Sequence, residues 1–245
     1  MDTSVLCLAF IVLVAYTTQA MTGFGSVIIA VTLGSHLYPI EFLLATIVPI
    51  DLLVNVYIVV KYRKDVNRDL LFRRILPLMV AGVLIGIGIF QFVHGPLLKK
   101  TFGLVVTVLC SRELYSLLRS PGTQKALSRQ KYAASVFAAG ITQGLFASGG
   151  PLLVFAVGRL GLQKGSFRST LSALWLLTNS VLTLSYLASG LVTGANLKFW
   201  AWLAPTIVFG TVIGESLHDR VNEHHFRIAV FAILLAAGLS IVVIR

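Results

Sequence analysis

Two short segments carry the residues best suited to chemistry, because each interrupts a long apolar stretch with helix breakers and polar side chains. They are Gly23-Phe24-Gly25-Ser26 and Ser148-Gly149-Gly150-Pro151. A helix that begins inside an apolar stretch presents unpaired N–H groups and about half a positive charge at its end. Glycine lets a ligand approach the backbone, and proline suits the first turn of a helix. The two segments therefore predict an anion site at helix N-termini.

Polar neighbours favour a ligand site over the alternative, which is close helix packing through small residues. Gln19 and Gln143 each precede one segment, and Asn55 and Asn179 follow at equal separations, so their amides would supply donors. Phe24 would either wall the cavity or pack. The predicted substrate-binding residues are Gln19, Gly23, Phe24, Gly25, Asn55, Gln143, Ser148, Gly149, Gly150 and Asn179.

Asp51 lies in the middle of an apolar stretch, where a carboxylate is costly and is a functional candidate by default. We predict that it carries a coupling proton or pairs with a cation. A carboxylate that only hydrogen-bonds to a neighbouring helix is an equal alternative. The histidines and the two cysteines show no metal-ligand spacing, so neither a metal nor a cofactor is predicted.

The composition indicates that these residues sit in a membrane. Of the 245 residues, 57% are hydrophobic and 12% charged, against about 25% charged in soluble domains. Several stretches reach the roughly 20 apolar residues that one crossing needs. The net charge of +11 lies in short loops, where it sets orientation rather than binding nucleic acid. We therefore predict an all-α, multi-pass protein of the cytoplasmic (inner) membrane.

The chain also repeats itself, since sliding it by 124 positions pairs polar residues as well as apolar ones. The pairs are Gln19 with Gln143, Thr46 with Thr170 and Asn55 with Asn179, and after a four-residue gap Gly82 and Gly86 match Gly210 and Gly214. Asp51 falls opposite Trp175. This pattern predicts two homologous four-block repeats, over 1–118 and 132–245, joined by a basic linker over 119–131. Such repeats are characteristic of secondary transporters.

The opening block of each half, at 4–34 and 132–158, is longer than one span and broken in its middle. It is either a kinked span or a re-entrant hairpin of two half-helices. Cytoplasmic loops collect Lys and Arg. Single crossings divide the 20 basic residues 13 to 7, whereas hairpins leave only Lys99, Lys100, Lys198 and Arg245 outside. Hairpins are therefore preferred, with inverted halves and both termini outside.

The Gly-Phe-Gly and Ser-Gly-Gly-Pro segments, together with the duplicated helix set, resemble the TauE/SafE sulfite exporter family over nearly the whole chain. The resemblance implies alternating-access transport of sulfur-containing anions such as sulfite, thiosulfate or sulfonates. The motif positions that carry over are 23–25 and 148–151. Where the family pattern leads us to expect a glycine-proline step after Gly25, this chain has Ser26-Val27, so the two half-sites are not equivalent.

Other functions stay open at this point. A passive anion channel would share the broken helices, although Asp51 favours coupling, and a transporter of a non-sulfur organic anion would use the same site. No Ser-His-Asp, His-Glu-x-x-His or paired-carboxylate arrangement indicates an enzyme. The predicted partners are a small anion, a coupling proton or cation and the lipid bilayer. A homodimer is compatible with the sequence, but no distinctive interface stands out.

Overall fold

The described part of the chain confirms an all-α integral membrane protein. The structure, a computed structural model, describes residues 3–93, 95–119, 127–218 and 223–243. Within those ranges it contains no strand, and six helices are long and apolar enough to cross a membrane. The α-helices are α1 (Thr3–Thr22), α2 (Ser26–Gly34), α3 (Ile40–Lys61), α4 (Leu76–Phe90), α5 (Gly95–Arg119), α6 (Arg129–Phe146), α7 (Gly150–Val157), α8 (Lys164–Ala188), α9 (Gly194–Leu217) and α10 (Glu223–Val243). A π-helical turn (Leu70–Ile75) precedes α4, and a 3-10 turn (Gly158–Leu160) follows α7.

Helices α1 and α2 form a hairpin rather than one kinked span. A Cβ added at Gly34, the last residue of α2, would lie 3.3 Å from the Leu8 side chain near the start of α1. The chain therefore reverses direction at the break between the two helices. Helix α1 has 20 residues, whereas α2 has 9. At about 1.5 Å per residue, only α2 is a half-helix, and α1 is long enough to cross the membrane.

A second hairpin joins α6 and α7 and turns at Ala147, whose φ of 51° lies in the left-handed region. The backbone N–H of Ala147 donates to the carbonyl of Gln143 at 2.7 Å, which closes the end of α6. Helix α7 then packs back along α6, and a Cβ added at Gly149 would lie 2.4 Å from the Ala139 carbonyl oxygen. The arms are again unequal, with 18 residues in α6 and 8 in α7.

Glycines spaced four residues apart hold α4 and α6 in close, parallel contact. Gly82 and Gly86 of α4 face Gly140 and Gly144 of α6. A Cβ added at any of the four would lie between 2.2 and 2.4 Å from a backbone oxygen of the facing helix. Backbones come this close only where no side chain intervenes. The two helices therefore form one tightly packed pair.

A matching contact joins α9 to α1, so the first helix of each half packs on the other half. A Cβ added at Gly210 would lie 2.7 Å from the Leu13 carbonyl oxygen, and one at Gly214 would lie 2.4 Å from that of Thr17. Both contacts advance in the same direction along the two helices, so α1 and α9 are also parallel. The glycines that the repeat pattern paired thus occupy corresponding positions in the fold.

Helices α3 and α8 run antiparallel. Thr46, near the start of α3, accepts a hydrogen bond at 2.8 Å from Asn196, which lies in the first turn of α9, after the end of α8. Thr170, near the start of α8, accepts one at 2.9 Å from the backbone N–H of Asn67, just beyond α3. Opposite directions in corresponding helices are what inverted halves require. The common origin of the halves and the boundaries at 118 and 132 stay predictions, and most of the linker lies outside the described residues.

This chain path collects the basic loops at one end of the helix bundle. The loop from α3 to α4, the start of α6 and the loop from α7 to α8 all lie at that end, because α4 and α6 are parallel and α7 returns along α6. Lys99, Lys100 and Lys198 begin helices at the opposite end. Because cytoplasmic loops collect Lys and Arg, we expect the end with the basic loops to be the cytoplasmic end.

We expect Gly86→Ala to destabilise the protein, because its Cβ would lie 2.3 Å from the Ile141 carbonyl oxygen. Overpacking of this kind costs about 1–3 kcal/mol, which lowers the thermal unfolding midpoint in detergent by several degrees. Gly88→Ala in the same helix is the control, since nothing lies within 4 Å of its added Cβ. Equal midpoints for the two variants would contradict the packing.

Candidate functional site

Asp51 is the centre of a buried hydrogen-bond network in the middle of α3. Only 1% of its surface is exposed. One carboxylate oxygen accepts a hydrogen bond from the Ser26 hydroxyl at 2.9 Å, and the other accepts from Asn55 at 2.6 Å and Asn179 at 2.9 Å. A buried polar group is tolerated when such partners replace water. The network therefore connects α2, α3 and α8 through a single side chain.

Two amide pairs extend this network symmetrically. Gln19 Nε2 donates to Asn55 Oδ1 at 3.1 Å, and Gln143 Nε2 donates to Asn179 Oδ1 at 2.7 Å. Both pairs span 36 residues of sequence, as the predicted repeat requires, and both converge on Asp51. The amide pairs that the repeat pattern singled out thus lie together at one buried place, whereas Thr46 and Thr170 bond to Asn196 and Asn67, away from Asp51.

The two short helices begin beside this network. Gly23 and Gly25 have φ values of 84° and 106°, which favour glycine, and they let the chain leave α1 and start α2 at Ser26. At the other break, the backbone N–H of Gly149 donates to Gln143 Oε1 at 2.9 Å, so the amide network fixes the start of α7. First-turn N–H groups of both helices lack intrahelical acceptors. Two positive helix ends therefore point into the same region.

A small polar cavity lies where the helix starts and the amide network meet. About 20 Å³ of it is open to the centre of a water-sized sphere, which is room for one or two waters. An anion of several heavy atoms is larger than this space. The lining residues are Gln19, Phe24, Gly25, Ser26, Val27, Ile28, Asp51, Gln143, Ala147, Ser148, Gly150, Trp175 and Asn179.

Comparisons with known proteins identify the family. The sequence model of the family described as Sulfite exporter TauE/SafE matches residues 8–241. The chain belongs to the TauE/SafE family. It is also similar to the probable inner membrane transporter protein TsaS of Comamonas testosteroni, with 26% identity over 173 residues that cover 68% of this chain and 69% of the relative. No solved structure matches the chain. The family description names sulfite exporters, and the relative's name describes an inner membrane transporter.

Most of the residues predicted for a TauE/SafE site line the cavity, and three have other positions. Asn55 does not line the cavity itself but bonds to two residues that do, since it donates to Asp51 and accepts from Gln19. Gly23 offers its carbonyl to Trp175, and Gly149 donates to Gln143. The predicted residues that line the cavity are Gln19, Phe24, Gly25, Asp51, Gln143, Ser148, Gly150 and Asn179.

The predicted substrate-binding residues omit several residues around this cavity. Ser26 belongs to the first glycine-rich segment but is not among those predicted residues, yet its hydroxyl donates to Asp51. Trp175 lines the cavity as the repeat counterpart of Asp51, so the alignment of the halves was the signal that could have found it. The sequence prediction also omits Arg168, which lies within α8 and is only 3% exposed.

Three side chains hold the C-terminal end of α1. They are Arg168 and Trp175 of α8 and His218, the residue after α9, and we call them the α1 clamp. Arg168 and Trp175 donate to the carbonyls of Ala20 and Gly23, both at 2.9 Å. His218 Nδ1 lies 2.6 Å from the Met21 carbonyl oxygen. A cation is favourable at this end of a helix dipole. The clamp therefore fixes the end of α1 with polar bonds at the end of the bundle that carries the basic loops.

Asn179→Leu is expected to lower the unfolding midpoint in detergent, because it removes a donor to Asp51 and the acceptor for Gln143. Each buried group left without a partner costs about 1–3 kcal/mol. Thr178→Val is the control, since the hydroxyl of Thr178 donates within its own helix, to Leu174, at 3.0 Å. A midpoint for Asn179→Leu as high as that of the control would show that the network contributes little.

Proposed function

We propose that the protein is a secondary transporter that moves small sulfur-containing anions, such as sulfite, thiosulfate or sulfonates, across the cytoplasmic (inner) membrane by alternating access. The observation that carries this proposal is that the starts of two helices, at Ser26 and Gly150, line one buried polar cavity. The description of the family as sulfite exporters and the name of the relative, a probable inner membrane transporter, support the substrate class and the membrane.

The chemistry of the cavity suits an oxyanion. First-turn N–H groups of α2 and α7 offer fixed donors with positive partial charge. The Ser26 hydroxyl and the amides of Gln143 and Asn179 add donors that can reorient. A sulfite or sulfonate group has several oxygens on one centre, so it can accept hydrogen bonds from both helix ends at once. Substrate binding in this proposal replaces bonds that the side chains now make to one another.

Asp51 is proposed as the coupling group. Its carboxylate lines the same cavity and accepts hydrogen bonds from Ser26 and Asn179. Ionised Asp51 occupies the positive field of the helix ends and repels a second anion. Protonation removes that charge and frees the donors, so the substrate and a proton are carried together.

Alternating access is supported by the different contacts at the two ends of the bundle. At the end with the basic loops, the α1 clamp joins α1 to α8 and to the end of α9, and the ion pair of Lys61 with Glu215, at 2.8 Å, joins α3 to α9. On the other side, the tip of the α6–α7 hairpin is closed by its own bonds, such as Gly149 to Gln143. The two sides therefore depend on different contacts, which can open one at a time.

The main test is counterflow in proteoliposomes loaded with sulfite, thiosulfate, a sulfonate, sulfate or a carboxylate. We expect at least one of the first three anions to accelerate uptake of its labelled form, because exchange requires a shared moving site. Gln143→Ala should weaken binding about tenfold, or about 1.4 kcal/mol, and Thr178→Val should not. Equal fluxes without trans-acceleration would indicate a channel, and acceleration by the carboxylate alone would indicate a non-sulfur substrate.

Asp51→Asn should abolish uptake driven by a pH gradient while leaving counterflow exchange measurable. The amide resembles the protonated acid in shape and charge but cannot exchange a proton. The measurement compares the two modes in the same vesicles, with the unaltered protein as reference. Parallel loss of both modes would argue that Asp51 has only a structural role.

A further inference from the structure

A second cavity, which we call the arginine pocket, lies at the cytoplasmic ends of α4, α6 and α7. It is far larger than the substrate cavity, with about 570 Å³ open to the centre of a water-sized sphere, and it shares no lining residue with it. Its residues come from the turn before α4 and the start of α4, from the start of α6 and the residues just before it, and from the end of α7 and the 3-10 turn after it. They are Arg73, Arg74, Leu78, Leu127, Arg129, Tyr132, Ala133, Ala156 and Leu160.

Among the described residues, the wall of the pocket has positive charge and no acidic side chain. Arg73 forms an ion pair with Asp69 at 3.0 Å, outside the lining. Within the described ranges, Arg74 and Arg129 form no ion pair. The hydroxyl of Tyr132 is buried and has no hydrogen-bond partner there, although the residue lines the pocket. Two guanidinium groups are thus available to a phosphate-like anion. The Tyr132 hydroxyl could join them after a small shift of its ring, since it has no bond to lose within the described residues.

The remainder of the wall is apolar, which separates this pocket from a site for a free ion. Leu78, Leu127 and Leu160 line it together with two alanines. The pocket lies at the ends of helices, and α4 with the turn before it is long and apolar enough to cross a membrane. Headgroups lie beside the ends of such spans. A ligand that matches both features has an anionic phosphate joined to hydrocarbon.

We propose that the arginine pocket binds the headgroup of an anionic phospholipid of the cytoplasmic leaflet. Basic pockets between membrane helices on this side attract anionic headgroups through charge and accept the adjoining chain through apolar contact. The phosphate contacts Arg74 and Arg129, and the Tyr132 hydroxyl donates the hydrogen bond that it lacks within the protein. Such a lipid joins the start of α4 to the start of α6 and the end of α7, and so braces the second hairpin.

The test measures thermal unfolding of the full chain in detergent with added dioctanoyl phosphatidylglycerol, dioctanoyl phosphatidylcholine or inorganic phosphate. We expect phosphatidylglycerol to raise the midpoint by several degrees and the other two to have little effect. The double variant Arg74→Gln/Arg129→Gln should lose most of that increase. Arg63→Gln/Arg68→Gln, which removes the same charge from exposed positions at the same end, should keep it.

Three outcomes would overturn the proposal. Equal increases with phosphatidylglycerol and phosphatidylcholine would show that headgroup charge is not recognised. An equal increase with inorganic phosphate would assign the pocket to a free anion. Equal loss in the two double variants would show that diffuse charge, not this pocket, attracts the lipid. If the Arg74 and Arg129 variant does not fold, an unchanged increase in Tyr132→Phe would be decisive against the site.

Discussion

The burial of Asp51 in the apolar centre of the bundle constrains the rest of the site. A carboxylate there must find hydrogen-bond donors inside the protein, because hydrocarbon offers none. Ser26, Asn55 and Asn179 supply them. To bring Ser26 to Asp51, the chain must end α1 and start a new helix beside α3, and to bring Asn179 there α8 must cross α3. The break between α1 and α2 and the crossing of α3 by α8 thus both supply hydrogen-bond donors to the Asp51 carboxylate.

The same network makes the two halves unequal at their centre. Trp175 stands where Asp51 stands in the first half, and it donates to the Gly23 carbonyl rather than joining the amides. One half therefore supplies a titratable group, and the other supplies a bulky wall that also holds the first hairpin. If the second half also had a carboxylate in place of Trp175, two carboxylates would lie near the same cavity. Their negative charge would work against anion binding.

Sequence reasoning predicted the polar residues better than the shapes that carry them. The amide residues could be found because identical polar residues rarely match by chance between two apolar halves. They are Gln19, Asn55, Gln143 and Asn179, and their contacts lie together around Asp51. The unequal arms of the hairpins could not be predicted, since apolar residues on both sides of a break fit a long or a short helix equally well. Arg168 was missed because charge at the end of an apolar stretch usually means a loop.

The glycine contacts also bear on how much of the chain is needed for a stable fold. Helix α6 packs on α4 and α1 on α9, so each half lends its opening helix to the other. A fragment that stopped at the linker would expose the grooves at Gly82 and Gly86 to lipid tails, which cannot fill them as well as a facing glycine helix does. We therefore expect neither half to fold stably alone in a membrane, because each would leave uncovered the glycine grooves that the opening helix of the other half fills.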